Sequence, residues 1–295
     1  MARAPPVIDF APFYQGPREA RQHLTAEIRG ACEELGFFQL RNHGIPAELQ
    51  DRVLQQSKAL FSLPQEVKEK YDRGKTASTA DTNVYGPRTS SQRTKGDLKE
   101  GFFLGRDLPL DDPAGPNKYP GEVADPALFR ATVDEYYDAV LGLAVNIMTV
   151  IADMVGLDRP SLNRLCERPI ATLRLLHYPP QPPDASELER GIGAHSDFGA
   201  ITILLQDATG GLQVWNREAI PGAVVMRWTN DRYISNLFSF DGNADFVVEC
   251  LDSCRAAGEA GQTPAHHGGR VDDRAVRGYV RGRPRHGGDG PGGFG

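Results

Sequence analysis

The stretch GIGAHSDFGAITILLQDATGG, residues 191–211, places a histidine and an aspartate two positions apart at the head of an alternating apolar run. An imidazole nitrogen and a carboxylate oxygen are both ligands of divalent transition metals. Residues two apart point to the same face of a strand but diverge on a helix. Because apolar and β-branched residues recur with period two from Ile201 to Leu205, the stretch is predicted to be extended. His195 and Asp197 are therefore candidate ligands of one metal ion.

Two interpretations of this pair stay open. The His-x-Asp spacing also occurs in ordinary surface turns, where both side chains are solvated. With a second histidine from elsewhere, the pair would form the facial triad of non-haem iron(II) oxygenases, which leaves three coordination positions for a co-substrate and dioxygen. We assign no other early histidine to the metal, because His23 lies on a polar helix face, His43 in a turn, and His177 on the strand face opposite to its neighbour Tyr178.

The first half of the chain is predicted to be mainly helical. Apolar residues at helical spacing, caps and glycine stops define three helices. Residues 72–120 are rich in Gly, Pro, Asp and Thr, which predicts loops with one strand at GFFLG. The predicted elements are a strand at 7–13, a helix from Glu19 to Gly36, a strand at 37–46, a helix from about Pro46 to Ser62, and a long helix from Asp125–Pro126 to Gly156.

Beyond Gly156 the apolar period changes from helical to alternating. Short β-branched or aromatic segments are separated by Gly or Pro turns, which is typical of strands. Helices followed by strands predict an α+β fold whose second half is a sandwich or barrel. The predicted strands are ATLRLLHYPP, AITILLQD, GLQVWN, RYISNL and DFVVEC.

Composition and charge indicate a soluble globular protein. The chain has 295 residues, 40% of them hydrophobic, and a net charge of −6, so nucleic acid is not the expected partner. The N-terminus has no apolar signal region, the apolar stretch at 141–157 is interrupted by polar residues, and four scattered cysteines suit a reducing compartment. We expect a cytoplasmic protein without a membrane span. Residues 255–295, with twelve Gly and seven Arg, are predicted to be disordered, and RNA contact is their least favoured role.

Several segments, in order, resemble one family. HSDFGAITILLQDATGGLQVW resembles the iron segment of the isopenicillin N synthase-like, iron(II)/2-oxoglutarate-dependent dioxygenases. The resemblance covers about residues 5–254 and implies a double-stranded β-helix, or jelly roll, braced by the long helix, with a truncated sheet. It divides the chain into an N-terminal region at 1–120, the incomplete oxygenase domain at 121–254 and the tail at 255–295. The other matching segments are PVIDFAPF, ACEELGFFQLRNHGIP, SKALFSLPQEVKEKYD, DLKEGFFLG, LRLLHYPP, RWTNDRYISNL and FDGNADFVVECL.

The resemblance also implies a reaction and its cofactors. In this family 2-oxoglutarate and dioxygen are consumed at iron(II), succinate and carbon dioxide are released, and a small organic substrate is hydroxylated, desaturated or cyclised. We expect a secondary metabolite as substrate and a monomeric enzyme. His195 and Asp197 match the first two iron ligands, and Tyr178 matches a tyrosine that holds 2-oxoglutarate. The family's asparagine two residues earlier is Leu176 here, and simple packing is the alternative role of Tyr178.

The resemblance breaks after residue 224. In the family a His-Arg-Val segment with the third iron ligand and an Arg-x-Ser motif that binds 2-oxoglutarate follow RYISNL, but here Phe238 follows Leu237 directly. The PGAVVMRW segment lacks the family's Asn-x-Gly-Asp turn, and the tail differs as well. One hypothesis is mis-assigned splice junctions with a shifted terminal frame. The alternative is a protein that binds small molecules without catalysis, since His266, His267 and His286 lie outside any predicted strand and are poor substitute ligands.

Overall fold

The structure is a computed structural model, and it describes the greater part of the first 209 residues and four short segments beyond them. The N-terminal region, the long helix and the central strands fall within this part. The described residues are 5–71, 99–110, 116–180, 191–192, 197, 199–209, 212, 233–243, 247–248 and 266–267.

The N-terminal layer joins two short parallel strands to two helices. Strand β1 (Val7–Asp9) pairs with β2 (Gln39–Arg41), and helices α1 (Ala11–Gln15) and α2 (Arg18–Glu34) lie between them in sequence. The predicted apolar stripe of α2 is buried, and Gly36 ends the helix with a φ of 77°. The buried residues of this layer that pack against the long helix are Ile8, Phe10, Leu24, Ile28 and Ala31.

The next elements carry the chain from the N-terminal layer to the main sheet. Helix α3 (Ala47–Phe61) begins after Pro46, as predicted, and it buries the expected residues Leu49, Val53, Leu60 and Phe61. A short helix α4 (Gln65–Lys68) and a 3-10 turn (Glu69–Tyr71) follow, and neither was predicted from the sequence.

The long helix packs against one face of the main sheet. Helix α5 (Pro126–Val155) is capped by the Asp125 side chain, which accepts from the Leu128 amide at 2.9 Å, and Gly156 ends it with a φ of 73°. Among the described residues it is the helix that could cross a membrane by length and composition. Its buried stripe contacts α2, α3 and the sheet, so it occupies the position of a core helix.

Four antiparallel strands form the main sheet in the order β3-β4-β6-β5. Successive residues of each strand point to opposite faces, so directly paired residues share a face. The face toward α3 and α5, which we call the helix face, is apolar and carries Phe102, Leu173, Leu175, Phe238 and Phe240. The strands are β3 (Glu100–Leu104), β4 (Pro169–Tyr178), β5 (Ile201–Gln206) and β6 (Tyr233–Asn243), and helix α6 (Arg159–Glu167) precedes β4.

The structure corrects several strand predictions. The strand predicted at 7–13 ends at Asp9, and residues 11–13 belong to helix α1. RYISNL and the residues after it form one uninterrupted strand, β6, because both halves pair with β4 in a continuous register from Tyr233 to Phe240. Of DFVVEC the structure describes Val247–Val248, which form β7 and pair with β8 (His266–His267), although no strand was expected at these histidines. Of the predicted strand GLQVWN the structure describes only Leu212, which is not in a strand. Of the tail at 255–295 it describes only His266 and His267.

Candidate functional site

The candidate site lies on the sheet face opposite to α5, which we call the far face. Arg174 on β4 is paired with Phe103 on β3 and with Leu237 on β6, so these three side chains occupy its centre. Leu176 and Tyr178, two and four residues farther along β4, continue this face and are each 5% exposed. Leu237 and Ile192 pack against them. The far face therefore combines apolar side chains with the Arg174 guanidinium and the Tyr178 phenol.

Asp197 lies in the loop that precedes β5. The prediction placed it on a strand, but β5 begins only at Ile201, and Asp197 has no regular secondary structure and is exposed. The loop is fastened to β6 by the Ala200 amide, which donates to the Phe240 carbonyl at 2.9 Å. Gly199 makes this possible, because its φ is 86° and a Cβ there would stand 3.0 Å from the same carbonyl.

Electrostatic interactions connect Arg174 with the Asp197 loop. Burial of the Arg174 guanidinium lowers its pKa, and the charges of Asp197, Asp241 and Tyr178 act in the opposite direction. Burial raises the pKa of the Asp241 carboxyl, and Arg174 counteracts this shift. Arg174 was not singled out from the sequence, although a lone arginine inside the apolar run TLRLL was a usable signal.

A charged cluster on the helix face joins helix α4 to strands β3 and β4. Lys68 donates to Glu100 Oε2 at 2.7 Å and to the Phe61 carbonyl at 3.1 Å, and His177 Nδ1 lies 2.6 Å from Glu100 Oε1. The Phe61 ring stacks on His177 with centroids 5.5 Å apart. Burial opposes ionisation of Glu100, but the hydrogen bonds and charges of His177 and Lys68 outweigh it and lower the pKa of this carboxyl. His177 therefore serves the helix face, as its position relative to Tyr178 predicted.

The remaining early histidines make local contacts. His43 lies in a turn where its carbonyl accepts from the Tyr14 hydroxyl at 2.9 Å and its Nδ1 accepts from the Ile45 amide at 3.3 Å. His23 lies 3.3 Å from Glu27 on an exposed face of α2. These contacts agree with the structural roles expected for both histidines.

The described residues contribute only part of a metal site. His195 lies outside them, and within them no group of three His, Cys, Asp or Glu side chains could hold a metal ion. Asp197 supplies a carboxylate of the kind that iron(II) binds, and the partly buried Arg174, which interacts electrostatically with Asp197, suits an organic acid. Two polar atoms of the far face, Arg174 Nε and Thr202 Oγ1, are buried without a hydrogen-bond partner. The residues present on this face thus fit a carboxylate ligand beside a metal that Asp197 would help to hold.

Family models match two regions of the chain. Residues 5–122 match the N-terminal region of non-haem dioxygenases in morphine synthesis. Residues 169–237 match the 2OG-Fe(II) oxygenase superfamily. The second match ends at Leu237, the residue after which the expected third-ligand segment is missing from the sequence.

Fungal proteins are similar over most of their length. The 2-oxoglutarate-Fe(II) type oxidoreductase hxnY of Emericella nidulans is 38% identical over 88% of this chain and 86% of its own. The 2-oxoglutarate-dependent dioxygenase citB of Monascus ruber is 34% identical over 84% and 87%, and clavatol oxidase claD of Penicillium crustosum is 31% identical over 84% and 88%.

Solved structures share the fold. A full-length Neurospora crassa protein, crystallised with alpha-KG and thymine, superposes with a TM-score of 0.75 at 23% identity, over 90% of this chain and 94% of that one. A putative 2OG-Fe(II) oxygenase from Caulobacter crescentus superposes with a TM-score of 0.74 at 24% identity, over 95% of this chain and 99% of that one. The fold is thus the jelly roll that the sequence predicted. The level of identity with the fungal enzymes, over nearly the whole chain, shows that this protein belongs to the 2OG-Fe(II) oxygenase superfamily.

Proposed function

We propose that this chain oxidises a small organic molecule, a secondary metabolite, by hydroxylation, desaturation or ring closure with iron(II), 2-oxoglutarate and dioxygen. Family membership supports the cofactors. The relatives support the substrate class, because claD is named as an oxidase of clavatol and the Neurospora crassa structure holds thymine. Both are small molecules.

The observation that carries the proposal is the position of Asp197 beside the far face. Asp197, together with His195, would hold iron(II), and bound iron supplies the oxidation chemistry. Tyr178 would contact 2-oxoglutarate from the end of β4. The apolar side chains of Phe103, Leu176 and Leu237 would exclude water from the reacting groups.

Anaerobic addition of iron(II) and 2-oxoglutarate tests this proposal. The iron chelate of 2-oxoglutarate has a visible charge-transfer absorption, which the wild-type protein should develop. Asp197→Ala should abolish it, because one ligand is lost. Asp153→Ala, which removes an exposed carboxylate from α5, is the matched control and should retain the absorption. Absence of the band from the wild-type protein contradicts the proposal.

One observation favours a second function, small-molecule binding without catalysis. Strand β6 runs from Tyr233 to Asn243 without interruption, and its register with β4 passes through Leu237 and Phe238. This leaves no insertion at the point where the resemblance places the third ligand and the Arg-x-Ser motif. Such a protein would bind organic ligands, with or without iron(II), and would show neither the chelate absorption nor succinate production.

We further propose that the protein acts as a monomer in the cytoplasm. The four scattered cysteines, which suit a reducing compartment, support this location. Sedimentation velocity of the purified protein and imaging of a fluorescent fusion test the two parts separately. A sedimenting dimer or a membrane-associated signal would contradict them.

A further inference from the structure

We infer that Arg174 binds the carboxylate group of an organic acid on the far face, an inference that rests on the proposed function. Arg174 lies in the middle of β4, between strands β3 and β6. Its guanidinium carbon stands 5.2 Å from the centroid of the Phe103 ring. The ring restrains the guanidinium on this face and leaves its hydrogen-bonding edge available.

The Arg174 side chain is only partly exposed, and its Nε atom is buried. Its Nε has no hydrogen bond, and no ion pair or hydrogen bond joins the guanidinium to any other described residue. The charges of Asp197 and Asp241 raise the pKa of the guanidinium through electrostatic interaction. A partly buried cation without a hydrogen-bond acceptor beside it is costly to a folded protein, and a bound anion would offset this cost.

A second unpaired group lies on the same face. Thr202 on β5 is paired with Ser239 on β6, which is paired with Thr172 on β4, and Thr172 shares its face with Arg174. Thr202 Oγ1 is buried without a hydrogen-bond partner. A hydroxyl and a guanidinium left unpaired on one sheet face form a polar surface that complements a carboxylate.

The geometry favours a carboxylate over a lone inorganic anion. The planar guanidinium donates two parallel hydrogen bonds to a carboxylate, and the apolar neighbours Leu176 and Leu237 would contact the carbon skeleton attached to it. The carboxylate could belong to 2-oxoglutarate, in place of the missing Arg-x-Ser arginine, or to the oxidised substrate. The chemistry of recognition is the same, and binding experiments separate the two sources.

The first binding experiment compares the wild-type protein with Arg174→Gln, and Arg168→Gln serves as an exposed-arginine control at the start of the same strand. Dissociation constants are measured by calorimetry for 2-oxoglutarate and for 2-oxopentanoate, which lacks the distal carboxylate, anaerobically with iron(II). If Arg174 holds the co-substrate, Arg174→Gln weakens the binding of 2-oxoglutarate about 10- to 100-fold and leaves the affinity for 2-oxopentanoate unchanged.

The second binding experiment uses the metal-free protein and thermal shifts with benzoate and hexanoate against benzamide and hexanamide. If Arg174 holds a substrate carboxylate, the wild-type protein is stabilised more by the acids than by the amides. Arg174→Gln removes this preference while 2-oxoglutarate binding is unchanged. This experiment does not need iron, so it tests Arg174 even if the charge-transfer band is absent and the proposed function fails.

Stability of the ligand-free protein distinguishes binding from a structural role. An unpaired buried charge does not stabilise the fold, so Arg174→Gln should leave the ligand-free melting temperature unchanged or raise it. Arg174→Lys, which keeps the charge without the fork, should bind carboxylates with intermediate affinity. A drop of several degrees in the ligand-free protein, or unchanged binding of all probes by Arg174→Gln, would overturn the inference.

Discussion

Removing the Lys68 ammonium should destabilise the protein strongly, because it leaves the Glu100 carboxylate buried. The two charged atoms are 2.7 Å apart, and the side chains are only 13% and 11% exposed. Breaking a buried ion pair by deleting one partner costs about 3–5 kcal/mol. His177 stays 2.6 Å from the other carboxylate oxygen and compensates in part. We therefore expect Lys68→Met to lower the free energy of unfolding by about 3 kcal/mol at pH 7.

The neighbouring Lys70 provides a matched control. It pairs with Glu122 at 3.0 Å, but the lysine side chain is 60% exposed. Exposed pairs contribute about 0–1 kcal/mol, so Lys70→Met should have a small effect. Urea unfolding followed by circular dichroism measures both variants. Adding Glu100→Gln to Lys68→Met should restore part of the loss, because a neutral amide can still bond to His177 without a buried charge.

The effect of Lys68→Met should depend on pH in a defined direction. The pKa of Glu100 is below its ordinary value of 4.5 in the folded protein, since the hydrogen bonds of His177 and Lys68 outweigh the effect of burial. The native state therefore binds this proton less readily than the unfolded chain, and the stabilisation is present above pH 4.5 and lost as the pH falls through the folded pKa. A loss no larger than that of Lys70→Met at pH 7, or one that does not diminish as the pH falls below 4.5, would refute this reasoning.

Two further predictions concern the Asp197 loop and β6. Gly199→Ala should destabilise the protein by about 1–3 kcal/mol in urea unfolding, because its φ is 86° and the new Cβ meets the Asp241 side chain. Gly30→Ala, with open space around it, should instead stabilise α2 by about 0.5–1 kcal/mol, and equal effects would contradict the assignment. Sequencing of full-length cDNA should reveal an insertion between Leu237 and Phe238 with a histidine and an Arg-x-Ser motif. A transcript that reproduces the sequence as written refutes the splicing hypothesis.

Much of the helical part of the fold was predictable from local sequence. The apolar spacing of α2, α3 and α5 and the cap at Asp125 place these helices within a few residues of their observed bounds. Caps and helical periodicity act within one or two turns, so they are visible in the sequence. Helices α1, α4 and α6 were missed because they are short.

The candidate site was only partly predictable. Tyr178 and Asp197 could be selected from motifs, and the far-face position of Tyr178 follows from the alternation of β4. The loop position of Asp197 could not be derived, because the start of β5 depends on its pairing with β6. Strand boundaries are set by hydrogen bonds between distant segments and not by local preference.

The sequence by itself determined the chemistry that this protein can offer: an imidazole and a carboxylate two residues apart, a tyrosine before two prolines and the order of the segments around them. Only the tertiary structure decided which side chains share the site. Strand register brings Phe103, Arg174 and Leu237 together from three strands and leaves Arg174 without an ion-pair or hydrogen-bond partner among the described residues. The same register places Glu100 and His177 on the helix face. The physical reason is that each strand has two faces, and only pairing with its neighbours decides which face is buried against the helices.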